Sequence, residues 1–400
     1  VIRVLCLAAG LLAGAVAPFV FAAAQDEEGE PEVRELPAIP PVPRTLSMEE
    51  AEAARDRAID WLVRTQQEDG SWGTSSIELF AEDGFSVETY YAWQIASHGL
   101  ALMALQAAPM GDERRACFER AIDWFCGERL PARGSDWDVD YSWSALYGFV
   151  AATRLATDPV VVGTEREEAV IRRGREYWAI LARNEVPSGG WAYYDDPPYT
   201  RRPKWATSFC TALVAPAIQR GMDLGWIEDA SHLARAQRVM ERSALPNGAY
   251  SYNGSDAVPR LPVGESIDTV KGSLSRIQVC HWARRVLGDP TITDERLVWG
   301  LEQFFEHHVF LDQARMRPIP HEGHYANAGY FYLFGHYYAA ECIALLPEEE
   351  QEAWHARLRP HLVKCQREDG SVCDFLGSTY TVTAGTAYAA LALSLGIDRD

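Results

Sequence analysis

Polar and apolar positions alternate along this chain in two helical styles. From Ser47 onward, segments with one charged face and one apolar face are followed by segments that are apolar nearly all round. The first style is expected near residues 48–67, 113–129, 165–183, 229–244, 293–310 and 348–366. The second is expected near 86–108, 140–156, 204–222, 268–287, 327–346 and 379–395. The contrast assigns places. Helices with a face such as Glu49, Glu50, Glu52, Arg55 and Asp56 belong outside, and helices such as 386–395 belong where both sides are covered. No stretch shows the two-residue period of a strand.

The segments repeat. Residues 61–72 read WLVRTQQEDGSW and residues 361–372 read HLVKCQREDGSV, identical at seven of twelve positions. Arg57-Ala-Ile-Asp-Trp61 recurs as Arg120-Ala-Ile-Asp-Trp124. Each outer segment breaks at a turn, usually with glycine, and an aromatic follows two residues on: Trp72, Trp191, Tyr250 and Tyr325, with Trp137 in the second copy and a degenerate Val372 in the last. A lone hairpin of this kind cannot bury its own apolar face, so neighbours must stack. Six hairpins, with first and last copies so alike, predict an all-α fold closed as an α/α toroid over 47–396. An open superhelix is the alternative.

The N-terminus reads differently. Arg3, an apolar run over 4–21 and Ala22-Ala23-Ala24 match a secretory signal peptide cleaved near Ala24, and an uncleaved N-terminal membrane anchor is the alternative. Residues 25–46, acidic and then Pro-rich, are expected to be a linker. Removing 1–24 takes away Arg3 and no acid, which moves the net charge from −20 to −21. Such a chain repels nucleic acid, and no Gly-rich phosphate loop is present, so no nucleic-acid partner and no cofactor are expected. The seven cysteines after Cys6 contain no CxxC pair. Cys117, Cys126, Cys210, Cys280 and Cys342 read as buried thiols, and only Cys365 and Cys373 are close enough in sequence to suggest a disulfide.

The run Arg57-Ala58-x-x-Trp61-Leu62-x-x-x-Gln66-x-x-x-Gly70-x-Trp72 resembles the QW repeat of squalene-hopene and terpene cyclases, whose toroid is shared with protein prenyltransferase β-subunits. The resemblance implies a structural role for the glutamine, bonding the end of a neighbouring helix, and an apolar isoprenoid or lipid as ligand. The family's reactive motifs are not matched. The nearest text to its DxDD acid is Asp136-Trp-Asp138-Val-Asp140, Asp195-Asp196 runs into two prolines, and Cys373-Asp374 has the wrong order for the prenyltransferase zinc site.

Residues entering the inner helices should crowd one mouth of the ring, where a ligand would sit. Asp138 and Asp140, beside Trp143, are candidate acids. His324 and Tyr325 are candidate catalytic groups, His and Tyr being suited to base and acid work on a sugar or ester. Trp143, Tyr199, Arg201, Lys204, Trp205, Tyr252, Asp268, His321 and Tyr330 are candidate substrate contacts, with the basic loop around Arg201 suited to a carboxylate. No metal site is expected. His307-His308 is read as solvated and His336 as a satisfied core histidine. Three functions fit: a cyclase-like enzyme binding an isoprenoid or lipid, an exported glycan-active lyase or hydrolase on the same fold, and a non-enzymatic ring binding a small molecule, lipid or glycan.

Overall fold

Thirteen α-helices run through the described part of the chain. The outer ones are α1 (Met48–Thr65), α3 (Asp112–Gly127), α5 (Glu167–Asn184), α7 (Ser231–Ser243), α9 (Asp294–Glu306) with the short α10 (Val309–Ala314), and α12 (Glu348–Val363). The inner ones are α2 (Val87–Ala107), α4 (Ser142–Leu155), α6 (Ser208–Asp223), α8 (Leu274–Val286), α11 (Phe331–Ile343) and α13 (Thr379–Leu395). The computed structural model describes residues 45–74, 86–132, 140–193, 204–254, 267–317, 319–375 and 379–397. The expected signal peptide and nearly all of the expected linker therefore lie outside the described residues.

The inner helices form an unbroken circle: α2 packs on α4, α4 on α6, α6 on α8, α8 on α11, α11 on α13, and α13 back on α2. The fold is an α/α toroid. Among the described residues there are no strands, only three isolated bridges such as Ala244 with Tyr250. No described helix is long and apolar enough to cross a membrane.

Local chemistry explains the elements. Ser47 caps α1 reciprocally with Glu50: the Glu50 N–H donates to Ser47 Oγ (3.2 Å) and the Ser47 N–H to Glu50 Oε2 (2.9 Å). Helix α1 then buries Ala51, Ala54, Ala58, Ile59 and Leu62 and leaves Glu49 outside. Helix α13 buries twelve of its seventeen residues, because α1, α2, α11 and α12 all pack on it.

One turn module ties successive outer helices together. Gln66 donates to Cys117 O on α3 (2.8 Å) and to Gly70 O (3.0 Å), while Arg120 donates back to Gln66 Oε1 (2.5 Å). The Trp72 indole N–H caps Leu62 O at 2.7 Å. At the far end of the chain the same geometry closes the ring: Gln366 donates to Ala54 O on α1 (2.8 Å), and Arg57 donates to Gln366 Oε1 through Nε (3.1 Å) and Nη2 (2.6 Å). In the third repeat a carboxylate takes the glutamine's place, with Glu185 accepting from Arg235 Nε at 2.6 Å. The turn glycine is required. Gly370 has φ +90°, and a Cβ there would stand 2.4 Å from Arg57 O.

Gln366→Ala should remove both amide bonds and orphan Arg57, costing about 1–3 kcal/mol. A urea titration against the wild type checks this, and an unchanged midpoint would mean that the first and last repeats are held by apolar packing alone.

The fifth repeat departs from the pattern. The 75 residues from Tyr250 to Tyr325 include the extra helix α10 and a loop that ends in a 3-10 turn, His324–Ala326. Tyr325, expected as the turn anchor, is half-buried against Phe310 (ring centroids 4.7 Å) and does not cap a helix as Trp72 does. The suggested Cys365–Cys373 disulfide is absent. All seven described cysteines are free and buried, the Cys365 thiol bonding His361 O and the Cys373 thiol Phe375 O.

Candidate functional site

Side chains from inner helices that are not neighbours meet across the ring. Tyr147 on α4 bonds Tyr388 on α13 through their hydroxyls. Phe209 on α6 packs edge-on against Phe331 and Phe334 on α11, at 5.2 and 6.2 Å. Nearer the C-terminal ends, Arg154 on α4 donates to the Tyr337 hydroxyl (2.9 Å) and pairs with Glu341 (3.4 Å), both on α11. These contacts floor the lumen with aromatic rings. Partly exposed side chains at the N-terminal ends of the inner helices line the opposite end of the ring, its cup.

The cup wall is a stack of aromatic planes. Trp143, at the start of α4, lies nearly parallel to Tyr193 (5.4 Å, 9°) and to Tyr147 (5.7 Å, 19°). Tyr252 follows, within ring contact of Phe209, Trp205 and His321. Trp143, Tyr193, Trp205 and Tyr252 are partly exposed, and flat rings so placed offer apolar faces on which a saccharide ring can lie.

A chain of polar groups runs along the same wall. His321 Nδ1 bonds the carbonyl of Ala326 at 2.7 Å, so that nitrogen carries the proton and Nε2 presents a lone pair. The Tyr330 hydroxyl sits on that Nε2 at 2.8 Å. The Tyr193 and Tyr252 hydroxyls are 2.7 Å apart, and the Tyr252 ring lies 5.5 Å from that of His321. Burial holds the His321 imidazole below its ordinary range, so the ring is neutral at neutral pH. Burial likewise raises all three tyrosines well above theirs, helped at Tyr193 and Tyr330 by the negative charge of Asp140. A neutral base hydrogen-bonded to a protonated phenol can accept a proton at one end of the chain and deliver one at the other.

Backbone strain marks these positions. Asp140 (φ +63°), just before α4, and His321 (φ +63°), Tyr325 (+57°) and Ala326 (+55°) in the loop before α11 are all left-handed without being glycine. Such residues persist where the surrounding structure holds them, and they concentrate at functional sites. Beneath the wall Arg276 is buried, donating to Tyr250 O (3.2 Å) and Ile267 O (2.5 Å) and lying over the Tyr252 ring. Asp268, 3.9 Å from Arg276, accepts the Tyr252 N–H at 2.7 Å, which fixes the segment that carries Tyr252.

Of the residues expected at the mouth, Asp140, Trp143, Trp205, Tyr252, Asp268, His321 and Tyr330 surround this cup. Lys204 precedes Trp205 and is exposed. Asp138, Tyr199 and Arg201 lie outside the described residues. His324 and Tyr325, expected to be catalytic, turn elsewhere: His324 is exposed, and Tyr325 packs on Phe310 with its hydroxyl 3.4 Å from Lys271 Nζ. The left-handed backbone at Tyr325 and Ala326 causes this, because it rotates the 3-10 turn away while the Ala326 carbonyl stays on His321.

Tyr193, Arg276 and Asp374 were missed. Tyr193 and Tyr252 each stand two positions after a turn aromatic, Trp191 and Tyr250, a shared offset that would have pointed to Tyr193. Arg276 is a charge inside an otherwise apolar inner helix, a signal passed over. Asp374, considered only as a zinc ligand, is a buried carboxyl whose Oδ2 accepts the Leu333 N–H (2.8 Å) at the start of α11. His308 is also corrected: it is buried, not solvated.

No family model matches the sequence, and no curated protein matches it. Solved structures do resemble it. A D-mannose isomerase superposes with a TM-score of 0.55 at 9% identity, covering 87% of this chain and 96% of that one. A possible member of the GH105 family from Klebsiella pneumoniae gives 0.53 at 13%, covering 92% and 98%. An unsaturated glucuronyl hydrolase from Streptococcus agalactiae gives 0.50 at 12%, covering 88% and 92%. At these identities the likeness concerns the fold alone, an α/α toroid.

Proposed function

We propose that this protein is a glycan-active enzyme whose cup binds a saccharide unit and transfers a proton to or from it through the His321–Tyr330 pair. The observation that carries the reading is that pair: a neutral imidazole with its lone pair on a phenol, set at the rim of a stacked Trp143–Tyr193 wall with the Asp140 carboxylate alongside. His321 acts as the base, Tyr330 relays or returns the proton, and Asp140 is the charged group at the reacting sugar. Trp143, Trp205 and Tyr252 hold the sugar faces. The names of the structural neighbours, an isomerase and a glucuronyl hydrolase among them, support sugar chemistry for this scaffold. An isoprenoid ligand would need an open apolar chamber, and the Tyr147–Tyr388 and Phe209–Phe331 contacts cross the ring where it would lie. The likeness of the turn module to cyclase repeats concerns how the ring is built. Export after cleavage near Ala24 would place the enzyme where polymeric glycans are found.

The test is a panel of neutral and uronate-containing oligosaccharides, read for new reducing ends, for the absorbance of unsaturated uronates and for aldose–ketose exchange. Turnover of at least one is expected. Quenching of tryptophan fluorescence by a sugar with no turnover would favour a binding ring, and neither response would sink the proposal.

A further inference from the structure

A second polar cluster lies away from the cup, between the fifth and sixth repeats. His308 sits at the turn between α9 and α10, His336 is in the middle of α11, and His361 is near the end of α12. One ring nitrogen from each lies within 4.8 Å of the others. His308 and His336 are buried, and His361 is half-buried.

The hydrogen bonds assign the protons. His308 Nδ1 is 3.0 Å from Asp312 Oδ2, and Asp312 is held ionised by Lys364 Nζ at 2.6 Å. His336 Nδ1 is 2.7 Å from the carbonyl oxygen of Tyr332. Both partners can only accept, so both Nδ1 atoms carry hydrogen and both Nε2 atoms carry lone pairs. Those two Nε2 atoms face each other at 2.9 Å. Two lone pairs at that distance repel unless a positive centre stands between them. A shared proton would satisfy two nitrogens. The arrangement offers a third, from His361, whose Nδ1 has only a 3.4 Å contact with Lys364.

We infer that His308, His336 and His361 form a binding site for a divalent transition-metal ion, zinc foremost. Three imidazoles are a zinc donor set, with the fourth position left to water. Ligand nitrogens on a tetrahedral zinc stand about 3.3 Å apart, so the two Nε2 atoms need to separate by only a few tenths of an ångström. The surrounding shell is already in place. A ligating histidine usually donates its other N–H to a carboxylate or a carbonyl, which fixes its tautomer and orientation. Asp312 does this for His308 and Tyr332 O for His336. Lys364 in turn anchors Asp312, whose carboxylate offsets the ammonium charge beside the site. Aromatic rings close the surroundings, Tyr332 at 4.4 Å from His336 and Phe304 at 5.0 Å. The ion would tie an outer-helix turn, an inner helix and the next outer helix at one point, stapling the irregular fifth repeat to the sixth. The cup does not share these residues, so the site is independent of the glycan reading.

The experiment strips the full-length protein with a chelator and dialyses it against zinc chloride, then against cobalt chloride. About one equivalent of tightly held zinc per chain is expected, with the melting temperature raised by roughly 5 °C over the stripped protein. Cobalt should give the intense visible bands of a four-coordinate nitrogen-rich site. His308→Gln and His361→Gln should lose the metal and the shift while melting close to the stripped wild type. If either variant fails to fold, the cobalt spectrum and metal content of the wild type decide alone. Stripped wild type that takes up neither ion above a molar ratio of ~0.1, with no change in melting, would overturn the proposal and leave the two imidazoles sharing a proton.

Discussion

Replacing His321 by Gln is expected to lower turnover of the saccharide substrate by a factor of about 10² to 10⁴, the range general-base groups contribute. Binding should change little. The ring is positioned by its Nδ1–H bond to Ala326 O and uses only Nε2 on Tyr330, so the loss falls on proton transfer, with the sugar still resting on Trp143. KM should stay within about threefold while kcat falls, the signature of an interaction made in the transition state. Tyr330→Phe keeps the aromatic surface and removes the hydroxyl, and it should lose turnover in the same way. Steady-state kinetics of both variants, with their melting temperatures as a folding control, check this. Unchanged kcat in a folded His321→Gln protein would move the chemistry to another group.

The second large effect concerns Asp374. Burial pushes its carboxyl up to about 7 from 3.8, against the opposing pull of the Leu333 N–H bond and the nearby Arg315. The folded protein therefore holds a proton on Asp374 between about pH 4 and 7 that the unfolded chain has released. Its contribution to stability is complete below pH 4, declines as pH rises, and is gone above pH 7. A shift of this size corresponds to about 4 kcal/mol over that window. The buried histidines work in the opposite sense. Burial lowers both His98 and His355 to about 4, so folding loses stability as pH falls below 6.5. Comparison with a variant isolates Asp374. Asp374→Asn keeps an acceptor for Leu333 N–H and cannot titrate, so above pH 7 it should exceed the wild type by about 2–4 kcal/mol, with the difference vanishing near pH 4. Parallel urea titrations from pH 4 to 8 measure it. Curves of equal slope would show that Asp374 is ionised in the folded state.

The ring was legible in the sequence because its signals are local and repeated. Charged faces against all-round apolar segments, and turn glycines that a Cβ would drive into the next helix, placed inner and outer helices within a few residues of those observed. The match between residues 61–72 and 361–372 anticipated closure, and the structure gives the reason: Gln366 meets Arg57 across it. The site was less legible. That the inner-helix entrances form one mouth follows from topology, and seven of the expected residues gather there. Which histidine faces the cup does not. His321 and His324 are three residues apart, and the choice between them rests on left-handed backbone at Tyr325 and Ala326, which carries no sequence mark. The His308–His336–His361 cluster draws one residue from a turn and one from each of two helices, a spacing that no motif encodes.

The most direct measurement is a crystal structure of the His321→Gln variant with a bound oligosaccharide. A sugar ring stacked on Trp143 or Tyr252, with a carbon-bound or hydroxyl proton within hydrogen-bonding reach of the residue 321 and Tyr330 side chains, is the predicted result. A saccharide bound on the outer helices, or at the Arg154–Glu341 end of the ring, with the cup vacant, would contradict it.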